Sequence, residues 1–121
     1  MNKAEWKNRI IEAAQGVGTY QEPFDAVIDT LAGILEKRDT AQELFNKAGG
    51  QVIVKHTNKG GATNLELNPA LRVINDLNRD ALAYWRDLGL TPAGLKKINE
   101  AALHERSAEV SPLQAALEKL A

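Results

Sequence analysis

The chain contains no cysteine, which excludes disulfide staples, thiolate nucleophiles and cysteine-ligated zinc or iron–sulfur centres. Aromatic residues make up 5% of its 121 residues. A core must therefore be assembled from Ala, Leu, Ile and Val, with Trp6 and Trp85 as the two large anchors. Neither sign of charge dominates, because 15 Lys and Arg stand against 16 Asp and Glu. That balance is too even for a protein that coats nucleic acid by bulk positive charge, so any DNA contact must come from a local basic patch. No apolar run approaches the roughly 18 residues of a membrane span, and none follows Met1-Asn2-Lys3. A soluble, non-exported protein is expected, and the lack of cysteine is compatible with a reducing cytoplasm.

Proline is scarce too, with four residues, and each opens or precedes an apolar periodic stretch, as its fixed φ and missing N–H allow in a first helical turn. The length fits one domain, 1–121, read as N-terminal helices over 1–49, a hairpin over 50–67 and C-terminal helices over 68–121. Lys3 to about Gln15 places Trp6, Ile10, Ala13 and Ala14 on one helical face and ends at Gly16-Val17-Gly18. Thr19-Tyr20-Gln21-Glu22 fits a capping box, with Glu22 ahead of Pro23 as the alternative cap. From Phe24 to about Ala48, Phe24, Val27, Ile28, Leu31, Ile34, Leu35, Leu44 and Phe45 recur at helical spacing, and Gly49-Gly50 stops the pattern. The polar middle of this helix, Glu36 to Gln42, implies a solvent-spanning rod or a wet subunit contact.

Gln51 to Lys55 is β-branched, Asn58-Lys59-Gly60-Gly61 is a turn signal, and Ala62 to Leu67 can return as a partner strand. Such a hairpin is marginal alone and should lean on a helix or pair with a neighbouring subunit. Asn68-Pro69 caps and opens a helix to Leu88, with Leu71, Ile74, Leu77, Ala81, Trp85 and Leu88 inward. A further helix starts at Pro92, and Ser111-Pro112 is expected to open a last short one after a hinge at Ala108-Glu109-Val110. The fold class expected is mostly α, an oligomerising helical domain with a long helix near its N-terminus and one small β-hairpin insertion.

Little in the chain points to catalysis. His56 and His104 fall in different elements without carboxylates at metal-ligand spacing. Asp25 with Asp29, and Asp76 with Asp80, are carboxylates four apart that could begin a two-metal site, but basic neighbours favour solvated faces. Gly60-Gly61 lacks the Gly-Lys-Ser/Thr ending of a phosphate-binding loop. No cofactor, metal or catalytic residue is expected, and the chain is read as not an enzyme. Arg72, Arg79 and Arg86 recur every seven residues and, with Asp76 between them, read as a charge ladder within the helix or between subunits more than as a DNA track. Lys96 and Lys97, in the first turns after Pro92, stand near free N–H groups that favour phosphate oxygens. Lys55, His56 and Lys59 form a weaker cluster on the hairpin.

Leu88-Gly89-Leu90-Thr91-Pro92 explains itself position by position. Gly89 can take the left-handed conformation that stops a helix, Leu90 supplies the accompanying apolar contact, Thr91 is an N-cap and Pro92 sets the next first turn. Either a rigid structural corner or a DNA-reading helix-turn-helix fits that pattern.

The run Leu88 to Ile98, together with Asn68-Pro69-Ala70-Leu71, resembles a recurrent signature of one branch of phage terminase small subunits. Thr19 to Asp39, with Tyr20, Phe24, Asp25, Leu31 and Ala32, and His56 to Asn64 are similar in the same way, so the resemblance covers most of residues 19–100. It implies a non-catalytic protein in the cytoplasm of the bacterial host that assembles into a homo-oligomeric ring. It also implies binding to viral double-stranded DNA and delivery of that DNA to a large subunit carrying the ATPase and nuclease. On this reading Lys96, Lys97, Lys55 and Lys59 are candidate DNA contacts, and Arg72, Asp76, Arg79 and Arg86 candidate oligomer contacts. The N-terminal helices lack an evident DNA-binding helix-turn-helix, which leaves the DNA-contacting surface open. A helical adaptor or scaffold, or a helix-turn-helix transcription regulator, is the alternative.

Overall fold

The computed structural model describes residues 1–120, with the side chains of all but 106–116 and 118–120. In chain order it contains α1 (Lys3–Val17), a 3-10 turn (Glu22–Phe24), α2 (Asp25–Lys47), β1 (Ile53–Thr57), β2 (Thr63–Leu67), α3 (Pro69–Asp87) and α4 (Pro92–Leu120). The expected class is right: a mostly helical chain carries one two-stranded antiparallel hairpin.

α2 is the central element. Ile28, Leu31, Ala32 and Leu35 are fully buried along one of its faces, against Ile10 of α1 and Ala81 and Leu88 of α3. Trp6, Tyr20, Tyr84, Trp85 and Leu90 close the edges of this core. Burying the three large aliphatic side chains Ile28, Leu31 and Leu35 of α2 contributes on the order of 1.5–3 kcal/mol each, which makes α1–α2–α3 packing the main source of stability. Not every apolar residue of the pattern goes inward. Ala13, Phe24, Val27 and Leu44 are exposed, whereas Ile11 is half-buried.

α1, α2 and α3 all end in the same paired hydrogen bonds. In α3 the Leu90 N–H reaches the Trp85 carbonyl at 2.8 Å and the Gly89 N–H reaches Arg86 at 3.0 Å. The equivalent pairs end α1 at Gly18-Thr19 and α2 at Gly49-Gly50. Each glycine at the turn has positive φ, 72° at Gly89, where a side chain would be strained.

Three expectations need correction. Thr19 caps nothing; it is buried, and its hydroxyl donates to the Leu88 carbonyl at 2.7 Å. Nor does Glu22 cap α2, since it begins the 3-10 turn. The satisfaction of a buried hydroxyl by an orphan carbonyl at the end of α3 outweighs the local capping pattern.

The polar middle of α2 is not a solvent-spanning rod but the anchor of α1. Glu36 accepts the Lys3 N–H at 2.7 Å, placing a carboxylate at the positive end of the α1 dipole. Asp39 accepts the Trp6 indole N–H at 2.7 Å, and Arg38 lies over the Trp6 ring at 5.4 Å. Two lysines complete this seam, with Lys3–Asp29 at 2.9 Å and Lys7–Asp25 at 3.1 Å.

Third, α4 is continuous from Pro92 to Leu120, with no new helix at Ser111-Pro112 and no hinge at 108–110. Proline's φ is itself helical, and an interior proline removes one hydrogen bond without having to end the helix. Of the two supports expected for the hairpin, the described residues supply no extensive helix packing, and pairing with a neighbouring subunit is the other. The hairpin strands pair Ile53 with Leu67 through Thr57 with Thr63, and their side chains are almost all exposed.

Candidate nucleic-acid interface

The α3–α4 corner positions the basic residues that the sequence singles out. Thr91 Oγ1 accepts the Gly94 N–H at 3.0 Å, and the Thr91 carbonyl accepts the Leu95 N–H at 2.9 Å. This is the expected N-cap of α4. Pro92 has no N–H, so the cap leaves the Ala93 N–H as the one first-turn donor it does not occupy. A phosphate at this end of α4 would therefore be held by side chains more than by the helix terminus.

The corner is tight. A methyl group on Gly94 would land on the Arg86 carbonyl, and one on Gly89 would come within 2.9 Å of Ile98 and 3.0 Å of Thr19. Glycine at both positions lets the first turn of α4 rest directly on the last turn of α3. Thr19, reaching across from the end of α1, locks the third side. The geometry is that of a braced corner.

Bringing α3 and α4 together places Arg86 and Lys97 on one open cleft of about 490 Å³, with Asp87 at its rim and Ala93, Gly94, Ile98 and Ala101 lining the rest. Lys96 points elsewhere, 3.9 Å from Glu100 one turn on. Arg86 belongs in sequence to the seven-residue arginine stripe, yet in space it joins Lys97. The other stripe residues lie along the exposed side of α3, where Arg79 pairs with Asp76 at 3.5 Å and Arg72 is exposed.

On the hairpin, Lys55 and His56 are adjacent in a strand and so face opposite ways. Lys55 shares its face with Ile53 and Leu65, whereas His56 approaches Glu66 at 3.7 Å on the other. Lys59 sits in the turn, where Asn58 Oδ1 accepts the N–H groups of Gly60 and Ala62 at 2.9 and 3.0 Å. The turn is a hairpin loop held by an Asx contact. These cations thus form two separate faces and a tip, not one patch.

Of the paired carboxylates, Asp25 and Asp29 meet Lys7 and Lys3, and Asp76 meets Arg79. Lys3 holds the Asp29 carboxyl below its ordinary range through a hydrogen bond, with Lys7 adding to the effect. The Lys7 ammonium is raised in turn, first by its hydrogen bond to Asp25. Burial works against the charged form of Asp39, but hydrogen bonds from Trp6, Arg38 and the terminal ammonium prevail and lower its pKa.

Compared with known families, residues 2–105 match the model described as phage terminase, small subunit. The chain belongs to that family. Neither the curated proteins nor the solved structures searched return a match. The matched span takes in the whole α1–α2–α3 core, the hairpin and the first half of α4, so every candidate residue of this small subunit falls within it.

Two residues of the corner escape sequence reasoning. Gly94 carries a legible signal, a glycine two residues after a helix-opening proline, where it costs helix stability unless something needs its missing side chain. Thr19 carries none, because its partner Leu88 lies 69 residues away.

Proposed function

We propose that this small subunit assembles into a homo-oligomeric ring in the bacterial cytoplasm, binds viral double-stranded DNA and hands it to the large ATPase/nuclease subunit. It contributes no chemistry of its own, and its helices and hairpin act as one domain. The observation that carries the reading is the family match across nearly the whole folded core. Within that frame Lys97 and Arg86 are the main DNA-contacting pair, because the corner aims both into one exposed cleft. Lys96, and Lys55 and Lys59 on the hairpin, contribute further phosphate contacts. Arg72, Asp76 and Arg79, farther along α3, are assigned to contacts between copies.

The charge balance of the chain makes such binding dependent on local cations, so the logarithm of the affinity should fall linearly with log salt, with a slope set by the number of phosphates those cations meet. Gel shifts on duplex DNA at increasing salt, read beside light scattering, test the reading. A strict monomer without DNA affinity at low salt contradicts it. An oligomer that binds protein alone would make the chain an adaptor. Binding as a dimer to spaced half-sites would make it a helix-turn-helix regulator.

A further inference from the structure

A second hollow adjoins the Arg86–Lys97 cleft and shares Asp87 and Ile98 with it. It is a groove of about 370 Å³ between the end of α1, the 3-10 turn and α4. A smaller hollow carries it on past Phe24 to Val27 of α2. The walls are mainly apolar. Val17, Phe24, Val27 and Ile98 are between 37% and 41% exposed, and they come together from four different elements. Single exposed apolar side chains are ordinary, but a contiguous apolar surface of this kind marks contact with another molecule.

Asp87 is the one charged residue that lines the groove. It is exposed and forms no ion pair among the described residues. It also ends α3, where the negative end of the helix dipole opposes a carboxylate. A cation brought from elsewhere would relieve both. DNA does not suit such a surface, because apolar walls offer phosphates nothing and Asp87 repels them. On the reading of the chain as a terminase small subunit, we propose that the groove seats an amphipathic helix of the large subunit. Apolar residues one turn apart on that helix lie against Phe24, Val27 and Ile98, and a Lys or Arg meets Asp87. Because groove and cleft share Asp87 and Ile98, a large subunit docked here stands beside DNA held by Arg86 and Lys97, as a hand-over requires.

Asp87→Lys separates docking from folding and from DNA binding. A cation suits the end of α3 and adds positive charge beside the cleft, so the variant should melt no lower than the native chain and bind duplex DNA no more weakly. Its affinity for the purified large subunit, titrated calorimetrically in nuclease-treated samples, should fall by about tenfold or more. Val27→Asp puts an acid in the first turn of α2, which the helix dipole favours, and should weaken the same titration through the apolar wall. Light scattering should give both variants the native mass. Native affinity for the large subunit in both variants overturns the groove assignment and leaves the small-subunit reading in place. A changed mass overturns it too, and gives the groove to a second copy of the chain. A native chain that binds no large subunit refutes the hand-over reading itself, and the groove assignment with it.

Discussion

Gly94 is the residue on which the α3–α4 corner depends, since its missing side chain is the space that the Arg86 carbonyl occupies. Gly94→Ala should improve local helix propensity and still destabilise the protein, because overpacking against a backbone atom costs about 1–3 kcal/mol. Urea denaturation should show a lower midpoint at unchanged slope, and an unchanged or higher midpoint would refute the close approach. Asp39 makes a different prediction. Its folded pKa is lowered from 3.8, so it stabilises the fold above that value and the contribution is lost as pH falls through the lower, folded-state pKa. Asp39→Asn should therefore be less stable than the native chain at neutral pH, with the gap closing in acid. Thermal melts between pH 7 and pH 3 would read this, and Asp29, lowered for a similar reason, keeps some acid sensitivity in the variant.

Among the elements, α3 and the hairpin meet in a single side chain. Asn68 Oδ1 accepts the Ala70 N–H at 3.0 Å as the helix cap, while its Nδ2 donates to the Gln51 carbonyl at 2.9 Å and closes the hairpin base. Asn68→Ala should cost about 1–2 kcal/mol through the cap and loosen the hairpin, seen as faster amide exchange over 53–67. Asn68→Asp keeps the cap acceptor and loses the donor, so it should loosen the hairpin with little effect on α3; equal behaviour of the two variants would contradict the division of roles. The helix of Asn68-Pro69 was legible because cap, proline and apolar period agree within one segment. The fate of Glu36 and Asp39 was not, because their partners Lys3 and Trp6 stand 33 residues earlier and a helix pattern records only which face is polar, not what meets it.

For the whole molecule, the proposed DNA contact rests on the family match and the exposed Arg86–Lys97 cleft. Removing both side chains in Arg86→Ala with Lys97→Ala should weaken duplex binding uniformly across sequences and reduce the salt slope by about two for each copy that contacts the DNA. An unchanged slope would move the interface elsewhere, with Lys55 and Lys59 of the hairpin the next to test. Neither substitution removes a core contact, so light scattering should report the same assembly as the native chain. Arg72→Ala with Arg79→Ala should do the reverse, shifting the oligomer while leaving the salt slope in place.

Helix positions, the capping asparagine and threonine, the glycine stops and the hairpin follow from the sequence because each depends on neighbours within one or two turns. So does the poverty of catalytic groupings, and four family-like segments point to a phage small subunit. What tertiary structure decided was which distant groups meet. It placed Thr19 on the carbonyl of Leu88, turned the polar middle of α2 into the seat of α1, carried α4 straight through Pro112, and took Arg86 out of its arginine stripe to stand with Lys97. In each long-range case the partner lies outside the repeat that a helix or strand imposes on its own residues. Packing alone brings the two together.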